Sequence, residues 1–141
     1  MQQEAVFYPL LALVGHTFLV WCWMYVDRLR AIVKYKVPMS AFRDQRTAAS
    51  TPGGASTSSD NLRNLFELPV LFYAAAIILF ITHNVTPAVL WLSWAFVLGR
   101  IVHSLIHVSY NRVMHRFYIY IASSLVLWAL WIDITAGLLF I

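Results

Sequence analysis

Residues 88–110 read AVLWLSWAFVLGRIVHSLIHVSY, a run with a single charge, Arg100, and none of the strict alternation of a half-buried strand. As a helix it is about 34 Å long, enough to cross a bilayer core of about 30 Å. Three further runs have the same character. Residues 5–26 carry no charge, 65–82 carry only Glu67, and 117–141 carry only Asp133. Continuous apolar runs favour helices over a β-barrel, because each span must satisfy its own backbone hydrogen bonds in lipid. The predicted spans are 5–27, 62–82, 87–110 and 116–140, in one domain over 1–141. The fold class is an all-α integral membrane protein, a four-helix up-down-up-down bundle.

Composition agrees. Of 141 residues, 61% are hydrophobic and 11% charged, against roughly a quarter charged in a soluble domain. This excludes a water-soluble monomer, a disordered chain and a nucleic-acid-binding module, because the few basic residues behind the formal charge of +4 lie between long apolar runs. The expected partner is the lipid bilayer. The lone Cys22 lies inside an apolar run and is expected to pack. No Lys or Arg precedes Arg28, so the first run is expected to be a permanent span rather than a cleaved signal peptide.

Between the spans, 82–87 reads as a tight turn with Pro87 suited to a first helical turn. The Ser/Thr/Gly-rich stretch 47–59 makes 36–59 an expected flexible loop. Arg28, Arg30, Lys34, Lys36, Arg43, Arg46 and Arg63 flank that loop, and Arg112 and Arg116 flank the third connection. Short cytoplasmic loops hold the excess of cations, so both termini are expected on the non-cytoplasmic side. Trp91, Trp94, Trp128 and Trp131 are expected as interfacial anchors there.

Ionisable groups inside a span are costly and ask for a partner or a function. Glu67 lies three residues after Asn64, near the cytoplasmic end of the second span, so the two are expected to share one helix face. In the third span Arg100, His103, His107, Tyr110 and Asn111 form a stripe at helical spacing with Ser104 beside it, leading toward Arg112, His115 and Arg116. Two readings stay open: a packing network in which Arg63 or Arg100 pairs with Glu67, or an anion-binding pocket at the cytoplasmic face. No metal site is expected, since His103 and His107 lack a third ligand.

Two segments together resemble the MAPEG family, the membrane-associated proteins in eicosanoid and glutathione metabolism, in particular its bacterial branch. One is Asn64-Leu65-Phe66-Glu67-Leu68-Pro69, similar to the family's Asn-x-x-Glu motif with a proline close behind. The other is Arg100-Ile101-Val102-His103-Ser104-Leu105-Ile106-His107, running on through Tyr110-Asn111-Arg112 to Arg116. The resemblance implies a homotrimer in the bacterial inner membrane, with glutathione as co-substrate between subunits near the cytoplasmic face. It implies a transferase or peroxidase acting on hydrophobic small molecules, either electrophiles or hydroperoxides. Carried over by position, Asn64, Glu67, Arg100, His103, His107 and Tyr110 are candidate glutathione-binding residues, and Arg116 or Arg112 the candidate catalytic residue that favours the thiolate. The chain departs from the glutathione-using pattern at Asp60, where those members have arginine, and at Leu62. The alternative function is a non-catalytic membrane scaffold or a lipid- or anion-binding protein with the same fold.

Overall fold

The structure is a computed structural model that describes residues 2–43, 47, 50 and 55–139. Its helices are α1 (Phe7–Tyr35), α2 (Ala55–Asn64), α3 (Leu68–Ile81), α4 (Pro87–Val108) and α5 (Val113–Leu139), with short 3-10 turns at Gln3–Val6 and Met39–Phe42. Among the described residues, four stretches are long and apolar enough to cross a membrane, Gln3–Tyr35, Ser56–Ile81, Pro87–Val108 and Val113–Leu139. The protein is an all-α integral membrane protein.

Each end of a span has a local cause. Thr86 accepts the Val89 N–H at 3.2 Å and Pro87 follows, so α4 begins with a side-chain cap and a residue that lacks the N–H the first turn cannot use. His83 takes a left-handed φ of 53°, and Asn84 N–H returns to the Leu79 carbonyl at 3.1 Å, closing α3. At α1 the left-handed Lys36, φ 55°, does the same work.

Two boundaries differ from the sequence expectation. The helix α1 runs to Tyr35, beyond 27, and at about 43 Å it outreaches the hydrocarbon core. Its last turns carry Arg28, Arg30 and Lys34, whose long side chains suit the interface. The expected loop 36–59 is also partly ordered: Met39–Phe42 is a 3-10 turn and α2 starts at Ala55. The small residues of 56–59 pack against α1, where Arg28 Nη2 donates to Ser59 Oγ at 3.2 Å. Residues 44–46, 48–49 and 51–54 of that loop lie outside the described residues.

Leu13, Leu79, Phe96, Leu127 and Leu130 are fully buried along the bundle axis, and the Phe72 and Phe96 rings pack tilted with centroids 5.1 Å apart. The N-terminal turn and the α3–α4 connection meet, since Gln3 Oε1 accepts the Val85 N–H at 3.0 Å. The side chain of Asn84 closes over Gly137 of α5. The N-terminal turn and the end of α5 therefore share one end of the bundle, as an even number of spans requires, and Arg28, Arg30, Lys34, Arg112 and Arg116 occupy the other. Trp91 and Trp128 are exposed, while Trp131 is half-buried.

The helices α4 and α5 form the most extensive pair, and their approach depends on Gly99. A Cβ there would lie 2.9 Å from Ser123 Cβ, so a side chain must push the helices apart. Gly99→Leu is expected to lower stability in mixed micelles by about 1–3 kcal/mol, the usual cost of overpacking. An unchanged unfolding midpoint would show that the two helices do not need this contact.

Candidate functional site

The second span is broken where its chemistry begins. Pro69 offers no N–H and its ring crowds the carbonyl four residues back, so it suits the first turn of a new helix and not the interior of a continuous one. The chain therefore turns at 65–67 between α2 and α3, with Leu65 N–H to Leu62 O at 3.0 Å and Phe66 N–H to Arg63 O at 2.9 Å. Asn64 ends one helix and Glu67 precedes the next, so they do not share a face of one helix as their spacing suggested. The break leaves the Asn64 carbonyl without a helical partner, and Arg100 Nη2 fills that place at 2.8 Å.

Arg100 is fully buried, 0% exposed. Its guanidinium carbon lies 5.1 Å from the centroid of the Tyr120 ring, and Tyr120 Oη donates to Glu67 Oε2 at 3.3 Å. Cation, ring and carboxylate thus form a chain. Neither expected ion pair to Glu67 forms among the described residues. Tyr120 stands between Arg100 and Glu67, and the helix break carries Glu67 away from Arg63, which pairs with Asp60 at 3.7 Å.

Arg116 sits in the first turn of α5. Its Nη1 lies 2.8 Å from His107 Nε2 and donates to Asn111 Oδ1 at 2.7 Å. A guanidinium can only donate, so His107 Nε2 accepts and the imidazole carries its proton on Nδ1. This also denies Nε2 to a metal. Asn111 reaches Arg116 from a left-handed backbone, φ 50°, which asparagine tolerates better than most residues. With Nη1 held from two sides, the guanidinium keeps its plane.

These groups border a cleft of ≈240 Å³ lined by Asn64, Glu67, His103, Arg116 and Tyr120, with Val113 and Phe117 at its apolar side. Glu67, Val113 and Phe117 are exposed, so the cleft opens outward from the bundle. Of the residues singled out from sequence, Asn64, Glu67, His103 and Arg116 line it. Arg100 and His107 lie behind it, each bonded to a lining residue. Tyr110 and Arg112 do not reach it: both are exposed, and Tyr110 Oη lies 3.1 Å from His115 Nδ1 instead. The stripe that pointed to Tyr110 assumes a helix, and α4 ends at Val108. Tyr120 was missed, although its place four residues after Arg116 puts it on the same helix face.

The model of the MAPEG family matches residues 6–136, nearly the whole chain. No curated protein and no solved structure matches it.

Proposed function

Since the chain belongs to the MAPEG family, we propose that it is a glutathione-dependent transferase or peroxidase acting on lipophilic electrophiles or hydroperoxides dissolved in the bilayer. The observation that carries this reading is Arg116, a guanidinium fixed by His107 and Asn111 at the edge of a cleft that also holds Asn64, Glu67 and Tyr120. A free thiol has a pKa near 8.5 and is mostly protonated at neutral pH. A fixed cation beside it favours the thiolate, the nucleophilic form.

In this reading the Glu67 carboxylate takes the peptide's ammonium group, Asn64 offers neutral polar contacts, and the exposed Val113 and Phe117 face the acceptor's apolar body. The thiolate attacks an electrophilic carbon and displaces its leaving group. With a hydroperoxide it attacks the O–O bond to give a sulfenic acid and an alcohol, and a second thiol then yields the disulfide and water. Arg100 is a positioning residue, because it holds the Asn64 carbonyl and underlies Tyr120.

Glu67 is exposed within a membrane span, an unfavourable place for a carboxylate facing lipid. This supports a homotrimer in which a neighbouring subunit closes the cleft. The positive end of the bundle would then face the cytosol of a bacterial inner membrane, with both termini outside. Asp60, the departure from the glutathione-using pattern, is partly offset here by Arg63 at 3.7 Å.

Asp60 also favours the second reading, a scaffold that keeps the fold without thiol chemistry. Calorimetric titration of the detergent-solubilised oligomer with glutathione, alongside turnover of a chloronitroaromatic acceptor or cumene hydroperoxide, separates the two. Binding with turnover supports the enzyme; neither, in an intact oligomer, supports the scaffold.

A further inference from the structure

A second cavity, separate from the cleft, opens between α1 and α4. One part, ≈220 Å³, has the buried Asn61 and Ser104 at its floor and the exposed Leu19, Trp23 and Leu105 at its rim. It shares Trp23, Ser58 and Val108 with an adjoining part of ≈340 Å³ that reaches Asp27 and His107 nearer the basic end. The mouth is apolar and lies along membrane-spanning helices, while the floor and the far end are polar.

Two buried side chains lining this cavity carry unmatched donors. Asn61 is 0% exposed, its Oδ1 accepts from Ser104 Oγ at 2.9 Å, and its Nδ2 has no partner. His107 is 2% exposed, its Nε2 accepts from Arg116, and its protonated Nδ1 has no partner. His16 Nε2, a donor or an acceptor according to the tautomer, is also unpartnered at the same floor. Apolar residues would serve packing better, because a buried donor left unmatched is costly. These groups ask for an acceptor oxygen from outside the chain. Asp27, buried and only loosely paired with Arg30 at 3.9 Å, sets the sign at the far end. Its carboxylate opposes a phosphate or carboxylate head and welcomes a hydroxyl donor.

We infer that this cavity holds a neutral amphiphile of the acylglycerol class, with its carbonyl oxygen on the Asn61 amide, its hydroxyl toward Asp27 and its acyl chain leaving past Leu19 and Leu105 into the bilayer. The match is between unmatched donors at the floor, a buried carboxylate at the polar end and an apolar mouth. It does not rest on the thiol reading, since none of the residues that would hold the amphiphile's carbonyl, hydroxyl or chain lines the cleft.

The test uses the whole protein in phosphatidylcholine nanodiscs with a monoacylglycerol that carries a photoactivatable diazirine in its acyl chain. Saturable labelling of α1 and α4 is expected, competed by unlabelled monoolein. A fatty acid or a phosphatidylcholine with the same diazirine should label these helices about tenfold less. Asn61→Leu should lower labelling by about tenfold or more, the scale set by one lost hydrogen-bonded donor. Leu105→Trp blocks the rim without touching a hydrogen bond and should lower it equally, with glutathione binding on the same sample unchanged. Unsaturable labelling, stronger labelling by the fatty acid, or unchanged labelling in Leu105→Trp would overturn the proposal and leave only water on the polar floor.

Discussion

Arg116→Lys is expected to lower turnover by an order of magnitude or more while the oligomer and its helical content stay intact. Lysine keeps the charge, and with it any topology signal, but it is a point charge on a flexible stem. The arginine fork is held by His107 at 2.8 Å and Asn111 at 2.7 Å through a single nitrogen, which leaves its other N–H groups in fixed directions. A lysine that satisfies both acceptors has little left to aim at a thiolate. Losing about 1.4 kcal/mol of transition-state stabilisation already costs tenfold. The loss should appear in kcat more than in KM, because the contact matures with the thiolate's charge. Arg116→Gln removes the cation as well and should move the rising limb of the pH–rate profile upward, by about one unit for each 1.36 kcal/mol of lost interaction. Unaltered turnover in Arg116→Lys would confine Arg116 to an interfacial role.

Arg100→Met carries the second large effect. Methionine roughly fills the buried volume, so the four spans should persist by circular dichroism. The substitution removes the donor to the Asn64 carbonyl and the cation over Tyr120. Asn64 and Tyr120 both line the cleft, and each loses what positions it. A hydrogen bond to a charged group contributes about 1.5–3 kcal/mol, so glutathione affinity should fall roughly tenfold to a hundredfold. Stability need not fall, because burying a cation is costly and Arg100 Nε and Nη1 have no partner. A variant that binds glutathione as the parent does would remove Arg100 from the site.

The spans were legible in the sequence because lipid makes a blunt demand: about twenty apolar residues, satisfied from within. Their ends were less so. Arg28, Arg30 and Lys34 read as the start of a loop, yet α1 continues through them to Tyr35, since a helix costs nothing extra where long cations reach water. The small polar residues just after 54 read as flexible, and they become α2 because α1 offers them a surface to pack on.

Within the site, the polar groups were legible and their connections were not. Arg100 and Glu67 were visible as charges that needed partners, but Tyr120, an aromatic like many others near an interface, gave no sign that it would stand between them. The helical spacing of Asn64 and Glu67 concealed the break that Pro69 imposes between them. The stripe brings His103 to the cleft and His107 behind it, and it stops short of Tyr110, where the helix that justified it has ended. Asn111 gave no sign in the sequence that it would meet a guanidinium, and only the fold brings it to Arg116.

The measurement closest to the central claim is the ultraviolet absorbance of the thiolate as the assembled protein is titrated with glutathione at neutral pH. A fixed Arg116 at the edge of the cleft predicts saturable binding with thiolate appearing in step, its titration midpoint below that of the free thiol near pH 8.5. Saturable binding without thiolate, or no binding by an intact oligomer, would contradict it.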